Sequence, residues 1–199
     1  MNWAELASVS LTLFFIMDPL GNMPVFNAVL SRFDPARRTR VIARELVLAL
    51  LILMAFLHSG NAILGFLGLS QPSLNIAGGI LLFLISLRMI FPPPDSLKDI
   101  NEAEDPFLVP LAMPLIAGPS TIAILLLLSS TEPDRMLEWS LALFLAWLGT
   151  TLILLASPWL LRVIGTRGAR ALERLMGMIL VILSIQMLLD GIREFIRSL

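Results

Sequence analysis

The sequence predicts an all-α membrane protein in which six transmembrane helices form two inverted three-helix repeats, with the first and fourth helices interrupted. Three observations lead to this fold class: an apolar composition, long stretches without charge, and a proline motif that occurs twice. Of the 199 residues, 57% are hydrophobic and only 15% are charged, and the mean hydropathy is +0.89. Soluble domains carry roughly 25% charged residues, so this composition excludes a soluble enzyme, a nucleic-acid binder and a disordered chain.

Residue types that are rare or missing narrow the chemistry. Cysteine is absent, which excludes a disulfide framework and a thiolate nucleophile. One histidine is too few for a metal site of several histidines within one chain. The 14 basic and 15 acidic residues nearly cancel, so no net charge recruits an anionic polymer. We therefore expect no metal, no bound cofactor and no nucleic-acid partner, and the lipid bilayer, a small-molecule substrate and a coupling ion, H⁺ or Na⁺, as the partners.

The charged residues are spaced so that six membrane spans fit between them. A spanning helix needs about 20 mostly apolar residues, and residues 46–87, 106–131 and 139–161 carry no charge. Residues 46–87 are long enough for two spans, which divide between His58 and Ser73, where glycines and a proline cluster. The predicted spans are residues 6–31, 44–66, 74–91, 106–128, 139–161 and 171–189.

The basic residues predict the orientation. With six spans, eleven of the 14 Lys and Arg residues fall in the first, third and fifth loops. The positive-inside rule makes these loops cytoplasmic, so both termini are expected on the periplasmic side of the bacterial inner membrane. Residues 1–5 contain no Lys or Arg, unlike the start of a cleaved signal peptide. The first span is therefore expected to remain in the mature protein.

The two halves of the sequence resemble each other. A Pro-Leu-x-x-x-Pro motif that begins at Pro19 recurs at Pro114. The chain is expected to form one integral membrane domain, residues 1–199, with repeats at 1–95 and 105–199. In a second match, three residues of the first half recur 98 positions later as the same residue types. They are Gly79, Ser86 and Met89, which recur as Gly177, Ser184 and Met187.

The repeat predicts where a ligand would bind. Because each repeat holds three spans, the second enters the membrane from the opposite side, as in many secondary transporters. In such proteins, spans interrupted by Pro or Gly at corresponding places of both halves mark the binding site. Here these segments are MDPLGNMP at residues 17–24 and PLIAGPST at residues 114–121.

Asp18 is the charged residue of this candidate site. A charge near the middle of a span costs roughly 2.5–3.5 kcal/mol, so Asp18 should face the protein interior or water. Pro19 disfavours helical geometry at Asp18 and leaves a carbonyl without its helical donor. Pro24 suits the first position of a new half-helix, and Gly118 with Pro119 predicts a similar restart. The candidate substrate-binding residues are Asp18, Gly21, Asn22, Pro24, Asn27, Gly118, Pro119, Ser120 and Thr121, with Asp18 also expected to couple an ion or a proton.

The chemistry expected of the two restarts follows from helix dipoles. Two half-helix N-termini that point toward the midplane attract an anion such as a carboxylate, and Met23 with Pro24 and the amides at Gly118 would bind it. Asp18 and the freed carbonyls would suit an amine, a cation or a proton.

Structural explanations compete with these assignments. Proline kinks in membrane helices are often purely structural, and Asp18 would then be a cap bonded to nearby amides. His58 is expected at the edge of a loop, in an interfacial position. The glycines at 78, 79 and 177 are expected to permit close helix packing, and glycine-rich faces would allow a homo-oligomer.

The sequence resembles the MarC family of small bacterial inner-membrane proteins, and within it the YhgN-like branch. The resemblance covers essentially the whole chain and is carried by MDPLGNMP at 17–24, GGILLFLIS at 78–86, PLAMPLIAGP at 110–119 and ERLMG at 173–177. It implies six spans and a neutral amino acid transporter. Archaeal relatives are described as taking up small amino acids such as glycine and alanine with an ion gradient.

Three functions remain to be compared. The leading interpretation is a secondary transporter of small neutral amino acids. A membrane scaffold or partner subunit without a substrate is the alternative. An intramembrane serine hydrolase is least favoured, because Ile122 stands where the Gly-x-Ser-x-Gly motif around Ser120 needs a glycine. That serine would also depend on His58 as its base, so we expect no enzymatic activity.

Overall fold

The computed structural model describes residues 2–30, 35–91 and 116–198, and all regular secondary structure within these ranges is helical. Five helical segments in the described ranges are long and apolar enough to cross a membrane, and α5 is a shorter apolar helix. A 3₁₀ turn, Pro133–Arg135, joins α5 to α6. The helices are α1 (Trp3–Met17), α2 (Pro19–Leu30), α3 (Pro35–Leu67), α4 (Gln71–Ile90), α5 (Pro119–Thr131) and α6 (Met136–Arg197).

The first predicted span is broken at Asp18, which separates α1 from α2. The prediction that Pro24 begins the second half-helix is wrong, because α2 already begins at Pro19 and contains Pro24 in its interior. Proline at the first helical position loses no hydrogen bond, since the first N–H groups of a helix have no intrahelical acceptor. Asp18 therefore sets the start of α2 one and a half turns earlier than expected.

The second and third predicted spans correspond to α3 and α4. They separate at residues 68–70, inside the predicted window, where Gly68 has a φ of +64°. The prediction that His58 lies at a loop edge is wrong. This residue lies within α3, and its Nδ1 is 2.9 Å from the Met54 carbonyl oxygen. The third predicted loop and residues 106–115 of the fourth span lie outside the described residues.

A single residue replaces the predicted loop between spans five and six. Helix α6 continues to residue 164, turns at Gly165 with φ 70° and ψ 172°, and resumes at once. We call residues 136–164 α6a and residues 166–197 α6b. The prediction of a loop at 162–170 is wrong because helix continues on both sides of Gly165, whose conformation kinks α6 without further residues.

Replacing Gly165 with alanine is expected to destabilise the protein by about 1–3 kcal/mol, because its φ and ψ lie in a region that is essentially restricted to glycine. The free energy of unfolding in mixed detergent micelles measures the effect. Gly65→Ala is the matched control, since a Cβ there meets nothing within 4 Å. Equal stability of the two variants would contradict the Gly165 turn.

Helices α4 and α6b pack against each other antiparallel through glycines. A Cβ added to Gly79 would lie 3.0 Å from the Ser184 carbonyl oxygen, and one added to Gly177 would lie 3.1 Å from the Ser86 carbonyl oxygen. The same four residues match in the sequence at an offset of 98, where Gly79 corresponds to Gly177 and Ser86 to Ser184. Gly79 on α4 therefore meets Ser184 on α6b, and Gly177 on α6b meets Ser86 on α4, so the two contacts are reciprocal.

The remaining helices pack around this pair. Helix α1 contacts α6a, where the Thr150 hydroxyl donates to Met17 Sδ over 3.6 Å. Helix α3 contacts α5, where Gly60 lies against Ser129. Helix α3 also contacts α6a, where Trp147 Nε1 donates to the Leu46 carbonyl oxygen over 2.8 Å. Through these contacts the helices of each half pack on helices of the other half.

One arginine ties the start of α1 to the connection between α5 and α6. The Arg135 guanidinium binds both carboxylate oxygens of Glu5 at 2.9 Å, and one oxygen each of Glu132 and Glu138 at 2.7 Å. It also lies 4.4 Å from the ring centre of Trp139. This bidentate and stacked arrangement uses the fixed geometry of a guanidinium, which a lysine would not reproduce.

Candidate functional site

Asp18 ends one helix and begins the next. Its φ of 44° and ψ of 60° are left-handed, and its N–H donates to the carbonyl oxygens of Phe14 and Phe15. Its Oδ1 accepts a 3.1 Å hydrogen bond from the Gly21 N–H, in the first turn of α2. The side chain is buried, with 7% exposure. The structure thus gives Asp18 the capping contact that the sequence left open as an alternative to ligand binding.

The Asp18 carboxylate leaves no room for a side chain at residue 21, which is glycine. A Cβ at Gly21 would overlap Asp18 Oδ2 and would lie 2.5 Å from the end of the Met89 side chain on α4. Glu173 on α6b is half-buried, and its negative charge acts on Asp18. The Asp18 carboxylate therefore lies between the start of α2 and side chains of α4 and α6b.

Asn22 binds the carbonyl that the break releases. In a continuous helix the Met17 carbonyl would accept from the N–H of Gly21, but that N–H donates to Asp18. Asn22 Nδ2 instead donates to the Met17 carbonyl oxygen over 3.1 Å. The carbonyl that Pro19 leaves without its helical donor is that of Phe15, and it accepts from the Asp18 N–H instead. The Met17 carbonyl is released by the Asp18 cap, and Asn22 supplies its donor.

The second break lies at the start of α5. Gly118 is buried and is the N-cap residue, with φ −67° and ψ 161°, and it has no side chain to accept from the first turn. Pro119 is the first helical residue, and Ser120 and Thr121 follow with 3% and 1% exposure. The buried N-terminus of α5 therefore differs from that of α2, because no N-cap carboxylate neutralises its positive dipole end.

Two buried clusters connect the breaks. Met17 and Ala117, which flank the two breaks, belong to one cluster with Leu125 and Leu180. We call the second cluster the Phe26 cluster, and it contains Met23, Phe26, Ile42, Leu46, Ala49, Ile116 and Leu154. Met17 and Ala117 thus pack in one cluster, and Met23 and Ile116 pack in the other.

Other predicted site residues lie away from this point. Pro24 and Asn27 are half-buried within α2, and Asn27 is about 12 Å along the helix from Pro19 at the usual rise per residue. Pro119 is exposed. Hydrogen bonds hold Asp18, Gly21 and Asn22 together at the α1–α2 break, whereas Gly118, Ser120 and Thr121 lie together at the start of α5. That these two groups form one site stays a prediction.

Glu45 is a buried carboxylate that sequence reasoning missed. Its side chain is 1% exposed, and its Oε1 accepts from Arg44 Nε at 3.1 Å and from Nη2 at 2.8 Å. Its Oε2 is buried without a hydrogen-bond partner. The available signal was the apolar pair Ile42 and Ala49, which share one helix face with position 45 by their spacing.

An apolar helical chain with several candidate spans and a buried helix break at Asp18 is an integral membrane protein of the multi-pass class. The MarC family, described as MarC family integral membrane protein, matches residues 3–196, and the chain belongs to this family. It is 48% identical over 195 residues to UPF0056 inner membrane protein YhgN of Escherichia coli (strain K12), which covers 98% of this chain and 99% of that protein.

Other relatives extend across bacteria and archaea. A UPF0056 membrane protein of Buchnera aphidicola subsp. Baizongia pistaciae is 49% identical over 194 residues and covers 96% of this chain and 98% of its own. A UPF0056 membrane protein of Methanocaldococcus jannaschii is 38% identical over 191 residues, covering 92% and 93%. No solved structure matches this chain.

Proposed function

We propose that this protein is a secondary transporter that moves small neutral amino acids, or similar small zwitterions, across the bacterial inner membrane. The observation that carries the proposal is the pair of helix restarts in the buried interior, which differ in charge. The start of α2 carries the Asp18 carboxylate, whereas the start of α5 presents buried first-turn amides with no N-cap side chain. A zwitterion fits this pair, with its amine toward Asp18 and its carboxylate toward α5.

The residues at the two helix starts have different roles in the proposed substrate binding. The amides of Ser120 and Thr121 and their hydroxyls bind the substrate carboxylate, and Gly118 lets the ligand approach the backbone. Asp18 attracts the amine, and Asn22 holds the Met17 carbonyl in place beside it. Pro24 and Asn27, which lie within α2, would line the substrate pathway and would not bind the carboxylate.

Alternating access would use the inverted repeat. The antiparallel exchange between Gly79–Ser184 and Gly177–Ser86 supports a pseudo-twofold axis in the membrane plane, which relates spans three and six of a six-span arrangement. The relative YhgN is named an inner membrane protein, and we propose the same membrane here, with both termini periplasmic and the arginine-rich loops cytoplasmic. The chain would act without a metal or bound cofactor.

The test is transport by the purified protein in liposomes. Radiolabelled alanine, glycine and serine are offered under imposed proton or sodium gradients, and also in counterflow, in which unlabelled substrate inside exchanges for labelled substrate outside. Asp18→Asn keeps the cap and the left-handed backbone but removes the charge. A lost charge-assisted hydrogen bond of about 1.5–3 kcal/mol weakens substrate binding by roughly 10- to 100-fold.

The outcomes separate the proposals. Counterflow by the wild type that falls by this factor in Asp18→Asn supports a transporter with Asp18 at the amine. Counterflow unchanged in the folded variant would leave Asp18 only its capping role. Absence of uptake and counterflow for all three amino acids would overturn the amino acid proposal and favour the scaffold interpretation.

A hydrolase would need Ser120 next to a base. His58, the one histidine of the chain, is an exposed residue of α3 whose Nδ1 already meets the Met54 carbonyl. Ser120 is buried at the start of α5. This arrangement supports a binding role for the serine rather than a nucleophilic one.

A further inference from the structure

Glu45 differs from the other buried polar residues in having a carboxylate oxygen without a partner. Oε1 is held by Arg44, while Oε2 is fully buried and accepts no hydrogen bond. Adjacent residues do not face each other on a helix, so the Arg44 side chain bends back to reach Glu45. The Arg44 side chain is itself 45% exposed, so one half of this ion pair reaches the surroundings and the other half does not.

The surroundings of Glu45 are apolar. Ile42 and Ala49 lie on the same face of α3, three residues before and four residues after it, and both belong to the Phe26 cluster. That cluster also contains Met23 of α2 and Ile116, which lies two residues before the N-cap of α5. Glu45 therefore lies on the face of α3 whose apolar residues pack in one cluster with Met23 and Ile116.

Three of the segments around α3 carry no charged residue. The sequences of α2 and α5 contain no Asp, Glu, His, Lys or Arg, and residues 139–161 of α6a contain none either. The charged groups on its own helix are Arg44 and, five residues earlier, Arg40, and α6b, whose Leu172 packs against the Phe26 cluster, carries Arg170, Glu173 and Arg174. Arg44 is thus the one cation that contacts Glu45 among the described residues.

We propose that Glu45 is the proton-binding site of this protein, which takes up a proton when Arg44 releases it and returns the proton when the ion pair forms again. This inference rests on the proposed transport, in which Glu45 would couple proton movement to substrate movement. A proton suits a single oxygen in apolar surroundings, because a hard metal cation needs six or more oxygen ligands. No group of three acidic or histidine side chains that could hold a metal is found in the described part of the chain.

The first experiment tests Glu45 without any substrate. Dicyclohexylcarbodiimide is an apolar reagent that modifies protonated carboxyl groups in apolar surroundings, and peptide mass spectrometry locates the modified residue. In liposomes we expect modification at Glu45 that rises at least tenfold from alkaline to acidic buffer. Glu5, whose carboxylate is paired with Arg135 at 2.9 Å, is the internal comparison and should react less. Unmodified Glu45 throughout the pH range would overturn the proposal.

The second experiment separates coupling from transport. In Glu45→Gln, counterflow of alanine should remain within about twofold of wild type, while accumulation driven by a proton gradient and substrate-induced proton entry should fall at least tenfold. Glu194→Gln, on α6b, is the control. If the wild type shows counterflow and Glu45→Gln still accumulates alanine with the proton gradient, Glu45 is not the proton site and the transport proposal stands.

Each remaining outcome tests either the transport proposal or the proton-site proposal. Wild type that shows no counterflow contradicts the transport proposal, whereas carbodiimide labelling still decides the proton site. Accumulation driven by sodium alone would overturn a coupling role for Glu45. If Glu45→Gln does not fold, Glu45→Asp and the carbodiimide labelling of the wild type test whether Glu45 is the proton site. Neither experiment requires a neutral residue at this position.

Discussion

Alanine at Gly79 or at Gly177 is expected to lower the free energy of unfolding by about 1–3 kcal/mol, the usual cost of adding atoms to a packed interior. A Cβ at Gly79 would lie 2.8 Å from Leu188 Cγ and 3.0 Å from the Ser184 carbonyl oxygen. A Cβ at Gly177 would lie 2.9 Å from Ile90 Cγ1. A carbonyl oxygen moves only with its helix, so α4 and α6b must separate. Unfolding in mixed micelles, followed by tryptophan fluorescence, measures the loss.

Gly65→Ala is the control, and it is expected to change the free energy of unfolding in the opposite direction. A Cβ at Gly65 meets nothing within 4 Å, and alanine in an exposed helix position gains up to about 1 kcal/mol over glycine. The three variants make the same chemical change, so a difference in sign isolates the helix contact. The double variant at Gly79 and Gly177 should lose less than the two single losses together, because the first substitution already separates the helices. Alanine variants that all behave like Gly65→Ala would contradict this packing.

The spans and the glycine contact could be predicted from the sequence because each depends on local composition or on spacing. Charge-free stretches follow directly from the cost of charge in lipid. They placed α4 and α6a to within three residues, whereas α3 begins nine residues before its predicted span and α6b ends eight residues after its own. The match of Gly79 and Ser86 with Gly177 and Ser184 identified residues that do meet across the repeat. Spacing alone did not reveal that each glycine contacts the other repeat's serine.

The remaining features depend on contacts that a sequence pattern does not contain. Both Pro19 and Pro24 suit a first helical position, and the choice between them depends on Asp18 accepting from Gly21. Gly165 replaces a loop because of its backbone conformation. Glu45 follows an arginine and was assigned to the start of a span, yet its side chain is only 1% exposed. Tertiary packing decides all three.

Asp18→Ala is expected to destabilise the protein by about 2 kcal/mol or more, because it removes an N-cap acceptor and places a residue with a Cβ but no polar group in the left-handed region. Asp18→Asn should remain within about 0.5 kcal/mol of wild type, since asparagine caps helices as well as aspartate does and tolerates this conformation. Asp18→Gly should lie between them, because glycine keeps the backbone geometry but gives up the bond to the Gly21 N–H.

This series separates what the Asp18 backbone and cap do from what its charge does. Asparagine and glycine both remove the charge, but asparagine keeps the cap and glycine keeps the φ of 44°. If the charge attracts the substrate amine, both variants fold and both lose counterflow, in spite of their different stabilities. If Asp18 only joins α1 to α2, counterflow follows stability, and asparagine transports like wild type while alanine does not. Measuring unfolding and counterflow on the same preparations therefore assigns the role, because the two explanations predict opposite results for asparagine.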